Sequence, residues 1–235
     1  MRAPEYTVRV SRYAPHGHMP AHAHDHDGVS VVIDGALAEE AEHRAVTATS
    51  GWAVTKPRGV LHENRFGERG ATILAVIPHE DLARSLPGRW QWLENPATFR
   101  AALRLARPRS AQSHGDPDDR VIELVASLVP TERSRSPWLR RVKRALDDFA
   151  PLSVAQLAAD AGVHPVYLAR AFRASYGVSI RQYRQMAQAR RALRMILGTN
   201  LSLAQVALDC GFADHSHMCR TFRLVAGWSP SAIRR

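Results

Sequence analysis

The feature that most constrains this chain is an internal repeat in its C-terminal half. Two stretches share one layout, an amphipathic helix, then a glycine, then a second helix, and Ser202 repeats Ser153 at an offset of 49 positions. A glycine just past the last turn of a helix ends that helix. The repeat therefore predicts two helix-turn-helix units, at about residues 153–174 and 202–223.

Further helices are predicted before and between these units. The segment from Ile180 to Leu197 contains neither Gly nor Pro and carries five arginines among apolar residues at helical spacing. Trp138 to Phe149 predicts a helix in front of the first unit, and Pro151 ends it. We therefore expect residues 138–235 to form an all-α domain.

The excess of basic over acidic residues lies entirely in the C-terminal half of the chain. Residues 131–235 hold 17 Lys and Arg against 6 Asp and Glu, whereas residues 1–130 hold 15 against 16. This asymmetry favours a nucleic-acid partner. No apolar run approaches the length of a membrane span, and the two cysteines form no disulfide framework. We expect a cytoplasmic protein with no membrane partner.

The second helix-turn-helix unit and the residues after it resemble the signature of AraC/XylS-type bacterial transcription regulators. They depart from that signature at Met218 and at Ala232-Ile233, where an apolar residue replaces an aromatic one. The resemblance implies that two recognition helices enter successive major-groove segments of promoter DNA, about one helical turn apart. Regulators of this type are mostly activators, but no residue of this sequence distinguishes an activator from a repressor. The matching residues are Ala207-x3-Gly211-Phe212-x-Asp214-x-Ser216-x3-Arg220-x-Phe222-Arg223 and Gly227-x-Ser229-Pro230-x3-Arg234.

The apolar face of each recognition helix fixes which residues point outward. Leu168 and Phe172 face inward in the first helix, as do Met218 and Phe222 in the second, because residues four apart share a face. The residues expected at the DNA are Val166, Ala169, Arg170 and Arg173 in the first helix and His215, Ser216, Cys219, Arg220 and Arg223 in the second.

The resemblance assigns base readout to Arg170 and Arg220, which occupy the family position whose arginine reaches bases. Arginine pairs bidentately with guanine, and Val166 suits a thymine methyl group. The alternative for both arginines is a salt bridge to a neighbouring helix. Phosphate contacts are expected from Arg173, Arg190, Arg191 and Arg223.

The N-terminal part predicts a β-sheet, because short β-prone runs alternate with glycines that include Gly35 and Gly70. The runs are Tyr6–Val10, Val29–Ile33, Ala45–Ala48, Trp52–Thr55 and Ala71–Ile77. Two segments resemble the motifs of the cupin barrel, namely His22-x-His24 followed by Gly35, and Gly51-x5-Pro57-x-Gly59-x2-His62-x3-Phe66. The resemblance implies a cupin-like sensor barrel over residues 1–78, a domain that AraC-type regulators often carry.

The cupin resemblance also implies a pocket and a metal site. Its metal ligands would be His22, His24 and His62, with Asp27 or Glu63 as the carboxylate, and imidazoles suit divalent transition metals. The usual Glu of the first motif is missing, so the alternative is a pocket without metal, cofactor or catalytic residue. The residues expected to line the effector pocket are His24, Trp52, Lys56 and His62.

Residues 79–130 predict a helical extension, and residues 131–137 predict a polar linker. The extension either packs on the barrel or forms a dimer seam. Its expected helices are Glu80–Ser85, Trp90–Glu94, Ala97–Ala106 and Asp119–Val129, with a loop at Arg107–Asp118.

We therefore expect an α+β protein that acts as a sequence-specific DNA-binding transcription regulator and not as an enzyme. Its partners would be double-stranded promoter DNA and a small-molecule effector, with RNA polymerase and a second copy of the chain as further candidates. Two alternatives stay open. One is a metal-dependent cupin enzyme with a helical DNA-binding appendage, and the other is a nucleoid or RNA-binding protein without operator specificity.

Overall fold

The chain forms two compact units, which divide between Val129 and Pro130. The structure is a computed structural model that describes residues 6–107, 117–128 and 136–233. No helix within those ranges has the length and hydropathy to cross a membrane. The expected α+β class is confirmed, because the first unit holds the β-sheet and the second is helical. Residues 131–135 of the expected linker and 108–116 of the expected loop lie outside the described residues.

The first unit is built on one antiparallel sheet. In the described residues its seven strands take the order β1-β6-β3-β5-β7, with β2 added to β6 and β4 added to β3. The elements are β1 (Tyr6–Tyr13), β2 (His18–His22), β3 (Gly28–Ala41), β4 (Arg44–Thr49), β5 (Trp52–Lys56), β6 (His62–Pro78), α1 (Glu80–Ala83), β7 (Gln91–Glu94), α2 (Pro96–Leu105) and α3 (Pro117–Ala126).

Two long strands, β3 and β6, run the length of this sheet, and glycines bend them. Gly35 and Gly70 were expected to separate strands, but each lies inside one, with φ of 81° and 70°. A Cβ on Gly35 would overlap the Gly70 carbonyl oxygen. The pairing of β3 with β6 shifts register on either side of Asp34, as at a β-bulge. The bend lets β2 and β4 pair with one half of the long strands and β1 and β5 with the other.

One predicted helix is a strand. Trp90–Glu94 was expected to be helical, but Gln91–Glu94 forms β7 and pairs with β5. The ring of Trp92 lies 6.4 Å from that of Trp52, and both pack on an apolar cluster of the sheet. Cross-strand packing of two tryptophans outweighs any local preference for helix here.

The second unit is helical throughout its described length. Its helices are α4 (Pro137–Asp147), α5 (Val154–Asp160), α6 (Pro165–Tyr176), α7 (Ile180–Gly198), α8 (Leu203–Asp209) and α9 (His215–Ala226), followed by a 3-10 turn at Pro230–Ala232. The helices α5 and α8 are the same length, as are α6 and α9. The internal repeat in the sequence is therefore also a repeat in structure, with α7 between its copies.

An aspartate ties α4 to the central helix α7. The carboxylate of Asp147 accepts hydrogen bonds from Lys143 Nζ at 2.7 Å, the Tyr183 hydroxyl at 2.7 Å and Arg190 Nη2 at 2.8 Å. Burial opposes ionisation, yet these donors and their charges hold the pKa of Asp147 below its usual range. The network fixes the helix that precedes the first repeat against the helix that links the two repeats.

Candidate functional site

The turn in each repeat is set by a capped helix and a left-handed glycine. The hydroxyls of Ser153 and Ser202 accept hydrogen bonds from the amides three residues on, at 3.2 and 3.1 Å, and start α5 and α8. Gly162 and Gly211 follow those helices with φ of 68° and 78°. Glycine adopts this conformation without the steric cost that a Cβ brings. Each second helix therefore leaves its turn in the same local geometry.

The helix α6 exposes the residues expected at DNA. Leu168 and Phe172 are fully buried, as the sequence predicts. The opposite face is open to solvent and carries Val166, Ala169, Arg170 and Arg173. The exposed Tyr167 was not predicted from the sequence, and its ring lies 5.9 Å from that of Trp138 on α4.

The helix α9 exposes most of the predicted set, with one correction. Ser216, Arg220 and Arg223 are exposed and His215 is half-buried. Cys219 was expected to face outward but is 8 % exposed. Its Sγ lies 3.4 Å from His215 Nε2 and 3.5 Å from Ser229 Oγ, because the segment after α9 folds back over it. Cys219 therefore does not belong to the exposed face of this helix.

The exposed arginines of α6 and α9 form no salt bridges among the described residues, unlike Arg190 of α7. Within the described residues, none of Arg170, Arg173, Arg220 and Arg223 forms a salt bridge. The alternative of a helix-to-helix salt bridge for Arg170 and Arg220 therefore has no support among these residues. Two arginines of α7 are engaged inside the domain instead, since Arg190 pairs with Asp147 and Arg191 lies 5.0 Å over the Phe149 ring. They are poorer candidates for phosphate contacts than expected.

A second site lies in the N-terminal unit, where three imidazoles meet. The nitrogens of His22, His24 and His62 that could bind a metal lie within 4.8 Å of one another. His22 ends β2 and pairs across the sheet with His62, which begins β6. The loop after β2 returns His24 to the same place, with its ring 5.0 Å from that of His62. The sequence motifs thus predicted a real convergence of side chains.

Backbone contacts fix the tautomers of two of these rings. Nδ1 of His22 lies 2.8 Å from the Pro20 carbonyl oxygen, and Nδ1 of His62 lies 3.2 Å from that of Val60. A carbonyl can only accept, so Nδ1 carries the hydrogen and Nε2 presents a lone pair. Both Nε2 atoms are buried and have no hydrogen-bond partner among the described residues. This is the arrangement of metal-binding histidines, whose outer nitrogen donates to a carbonyl or carboxylate.

The surroundings of His24 and His62 disfavour the charged form of these two imidazoles. Burial, and then the charge of Lys56, lowers the pKa of His62 to about 4, while the Val60 carbonyl opposes the shift. The same two causes, in the same order, lower the pKa of His24. Neutral imidazole is the form that binds metals, so the donor set fits a divalent transition metal.

A buried ion pair, which sequence reasoning only half predicted, lies beside the cluster. Lys56 Nζ is 2.5 Å from Glu39 Oε2, and both side chains are buried. Burial raises the pKa of Glu39 and lowers that of Lys56, and each partner opposes the shift of the other. Glu39 belongs to no motif. The signal was its place between Leu37 and Ala41, at an inward position of the alternating strand β3.

A cavity of about 220 Å³ opens next to the cluster, and it corrects the predicted pocket. Its lining includes His22, His24 and Lys56 together with the apolar residues Leu37, Phe66 and Ile73. Trp52 and His62 were expected in this pocket, but neither is among the residues that line the cavity. Trp52 lies on the same strand as Lys56 but four residues away, about 13 Å along an extended chain, and packs in the apolar cluster with Trp92.

The two expected carboxylates are engaged elsewhere. Glu63 is paired with His18 at 2.9 Å and with Arg65 at 2.6 Å. Asp27 accepts the backbone N–H of Arg58 at 2.9 Å. Neither is among the described groups that converge on the three imidazoles.

Comparison with known proteins bears on the helical unit. A family model described as a helix-turn-helix domain matches residues 139–235. Over 104 residues the chain is 34 % identical to the transcriptional activator NphR of Rhodococcus, a match that covers 43 % of this chain and 31 % of that protein. The second unit therefore matches a helix-turn-helix domain family, and one similar protein is named a transcriptional activator.

A second curated relative is also named a transcriptional regulator. The chain is 26 % identical over 115 residues to YijO of Escherichia coli, named an uncharacterized HTH-type transcriptional regulator, and the match covers 48 % of this chain and 41 % of that protein. The chain thus spans less than half the length of the curated relatives it matches.

One solved structure aligns over almost the whole chain, but with a low score. The structure of ToxT from Vibrio cholerae aligns with 98 % of each chain at 9 % identity, with a TM-score of 0.41. A score of this size is too low to establish a common fold.

Proposed function

We propose that the protein is a sequence-specific DNA-binding transcription regulator that binds two successive major-groove segments. One observation carries the proposal. The second unit contains two matched helix-turn-helix units, and each presents exposed arginines that form no salt bridge within the described chain. Arginines with free guanidinium groups on a short outward helix suit base edges and phosphates of the major groove.

The two helices would contribute differently to specificity. The exposed face of α9 offers Ser216 and Arg220 as hydrogen-bond donors to bases, with Arg223 placed for a phosphate. The exposed face of α6 offers Arg170 but otherwise the apolar Val166 and Ala169, which suit thymine methyl groups. We therefore expect one half-site to be read by hydrogen bonds and the other partly by methyl contacts.

The first test is binding to the DNA upstream of the protein's own gene and of its divergent neighbour. At fixed salt and with random DNA as competitor, a regulator gives a discrete protected segment. A ratio of specific to random affinity near one would instead support a nucleoid or RNA-binding protein.

We further propose that the N-terminal unit is a sensor in which His22, His24 and His62 hold a divalent transition metal. The support is the pair of buried Nε2 lone pairs without a partner among the described residues. Cupin enzymes use a similar donor set, so a metal-dependent activity is the competing function.

Metal analysis tests this second proposal. The purified protein should bind one equivalent of Co²⁺ or Zn²⁺, and His62→Ala should abolish the binding. His43→Ala is the matched control, because His43 is an exposed turn residue away from the cluster. Equal metal binding by the two variants would contradict the proposal.

A further inference from the structure

Lysine is rare in this chain, which makes the buried one beside the imidazoles informative. Only two of the 32 basic residues are lysines, Lys56 and Lys143. Lys56 is 8 % exposed, lies 4.9 Å over the Trp90 ring and borders the cavity. A lysine ammonium has three donors on a compact head. Glu39 takes one of them, and no other hydrogen bond of this ammonium is found in the described residues.

The charges around the cluster leave a metal uncompensated. Lys56 and Glu39 cancel, whether they form an ion pair or share a proton in a neutral pair. Imidazoles that bind a metal do so in their neutral form, and the carboxylates of Asp27 and Glu63 are engaged by other groups. A divalent metal on three imidazoles would therefore add two positive charges to a largely buried site. Such charge is costly unless an anion accompanies it.

Glu39 itself is poorly placed to supply that negative charge. Its Oε2 accepts from Lys56 and, with the amide of Asn64 turned over, from Asn64 Nδ2 at 2.9 Å. It is not among the groups that converge with the three imidazoles. Asn64 and Lys56 therefore engage Oε2, and the charge of Lys56 offsets that of the carboxylate.

We propose that the metal-loaded site takes a small oxygen anion of the carboxylate class, which binds the metal and accepts a hydrogen bond from Lys56. This inference rests on the proposed metal site and names the class of effector. His22, His24 and Lys56 all line the cavity, so a ligand in it has access to two of the metal-binding imidazoles and to the ammonium. The apolar residues Leu37, Phe66 and Ile73 in the same lining suit a carboxylate that carries an apolar body.

The test uses the full-length protein loaded with Co²⁺, whose visible absorption reports its ligands. Acetate and benzoate are titrated in chloride-free buffer, with acetamide and benzamide as neutral controls of the same shape. We expect both anions to change the spectrum in a saturable way and the amides to leave it unchanged.

A double variant isolates the part played by Lys56. Lys56→Met together with Glu39→Gln removes both charges, so no buried charge is left unpaired. It should still bind Co²⁺, but its affinity for benzoate should fall by about tenfold, the loss expected for one charge-assisted hydrogen bond.

The outcomes separate this inference from the proposals it rests on. Failure to bind Co²⁺ would overturn both the metal site and the anion. A Co²⁺ spectrum that does not change with benzoate would contradict anion binding at the metal. Equal benzoate affinity in the wild type and the double variant would contradict the contact with Lys56. Neither result would contradict the metal site itself. None of these results bears on DNA binding by the second unit.

Discussion

At the scale of single residues, the arginines of α9 have separable roles. Arg220→Ala should weaken binding to the specific site by about 1–3 kcal/mol and binding to random DNA much less, because a base contact is lost. Competition binding against specific and random duplexes at fixed salt measures this difference. Equal losses on both duplexes would make Arg220 a phosphate contact.

Arg223→Ala is the counterpart to that variant. It should weaken specific and random binding alike and reduce the slope of log affinity against log salt by about 1, because one phosphate contact is lost. Titrations at several salt concentrations give the slope. An unchanged slope with lost specificity would reverse the assignments of Arg220 and Arg223.

The imidazole of His62 offers a prediction about pH in the metal-free protein. Its pKa of about 4 in the folded protein lies below the ordinary 6.5 of an unfolded chain, because burial and Lys56 disfavour the charged ring. Between these values the unfolded state binds the extra proton, so the free energy of unfolding falls as pH drops from 6.5 to 4. Urea unfolding at several pH values should show this fall for the wild type and a smaller one for His62→Asn. An NMR titration that gives the His62 imidazole a pKa of 6.5 in the folded protein would contradict this prediction.

Some residues of the two candidate sites could be predicted from the sequence and others could not. The motif spacing predicted the convergence of His22, His24 and His62, because each motif fixes its own histidines on a strand end or loop. The spacing could not predict Glu39, which belongs to neither motif. Its side chain reaches the site only because β3 pairs with β6. Cys219 was misplaced because the segment that covers it folds back after the helix ends.

At the scale of elements, the turn inside the second repeat can be tested by one methyl group. Gly211→Ala should destabilise the unit by about 1–2 kcal/mol, because φ of 78° is costly for any residue with a Cβ. The space itself is not limiting, since the nearest atom to that Cβ is Gln188 Nε2 at 3.6 Å. Gly198→Ala is the control, in open space at the end of α7 without a positive φ. Urea unfolding that ranks the two variants equally would contradict the account.

The helices were more predictable than the strands for a physical reason. A helix satisfies its own hydrogen bonds, so apolar periodicity and capping residues such as Ser153 and Asn95 mark it locally. A strand depends on its neighbours. β7 forms because it pairs with β5 and its Trp92 packs against Trp52. β3 continues past Gly35 because β6, its partner strand, bends at the same place. Neither condition can be seen in the strand's own residues.

At the scale of the whole molecule, the charge distribution and the internal repeat both indicate a nucleic-acid-binding surface on the C-terminal half. The C-terminal half carries the excess of basic residues, and its recognition helices expose arginines that are not used internally. A protein that binds DNA through several phosphates loses affinity steeply with salt, at about −0.9 in log–log slope per phosphate. Such a slope alone would not distinguish a regulator from a general DNA binder.

The measurement that tests the central claim most directly is selection of bound sequences from a pool of random duplexes by the full-length protein. We expect one motif with two constrained blocks whose centres lie about one helical turn, 10–10.5 base pairs, apart. Arg220→Ala should relax the constraint in one block and Arg170→Ala in the other. A single block, or a pool without any enriched motif, would contradict the proposal that both repeats read the major groove.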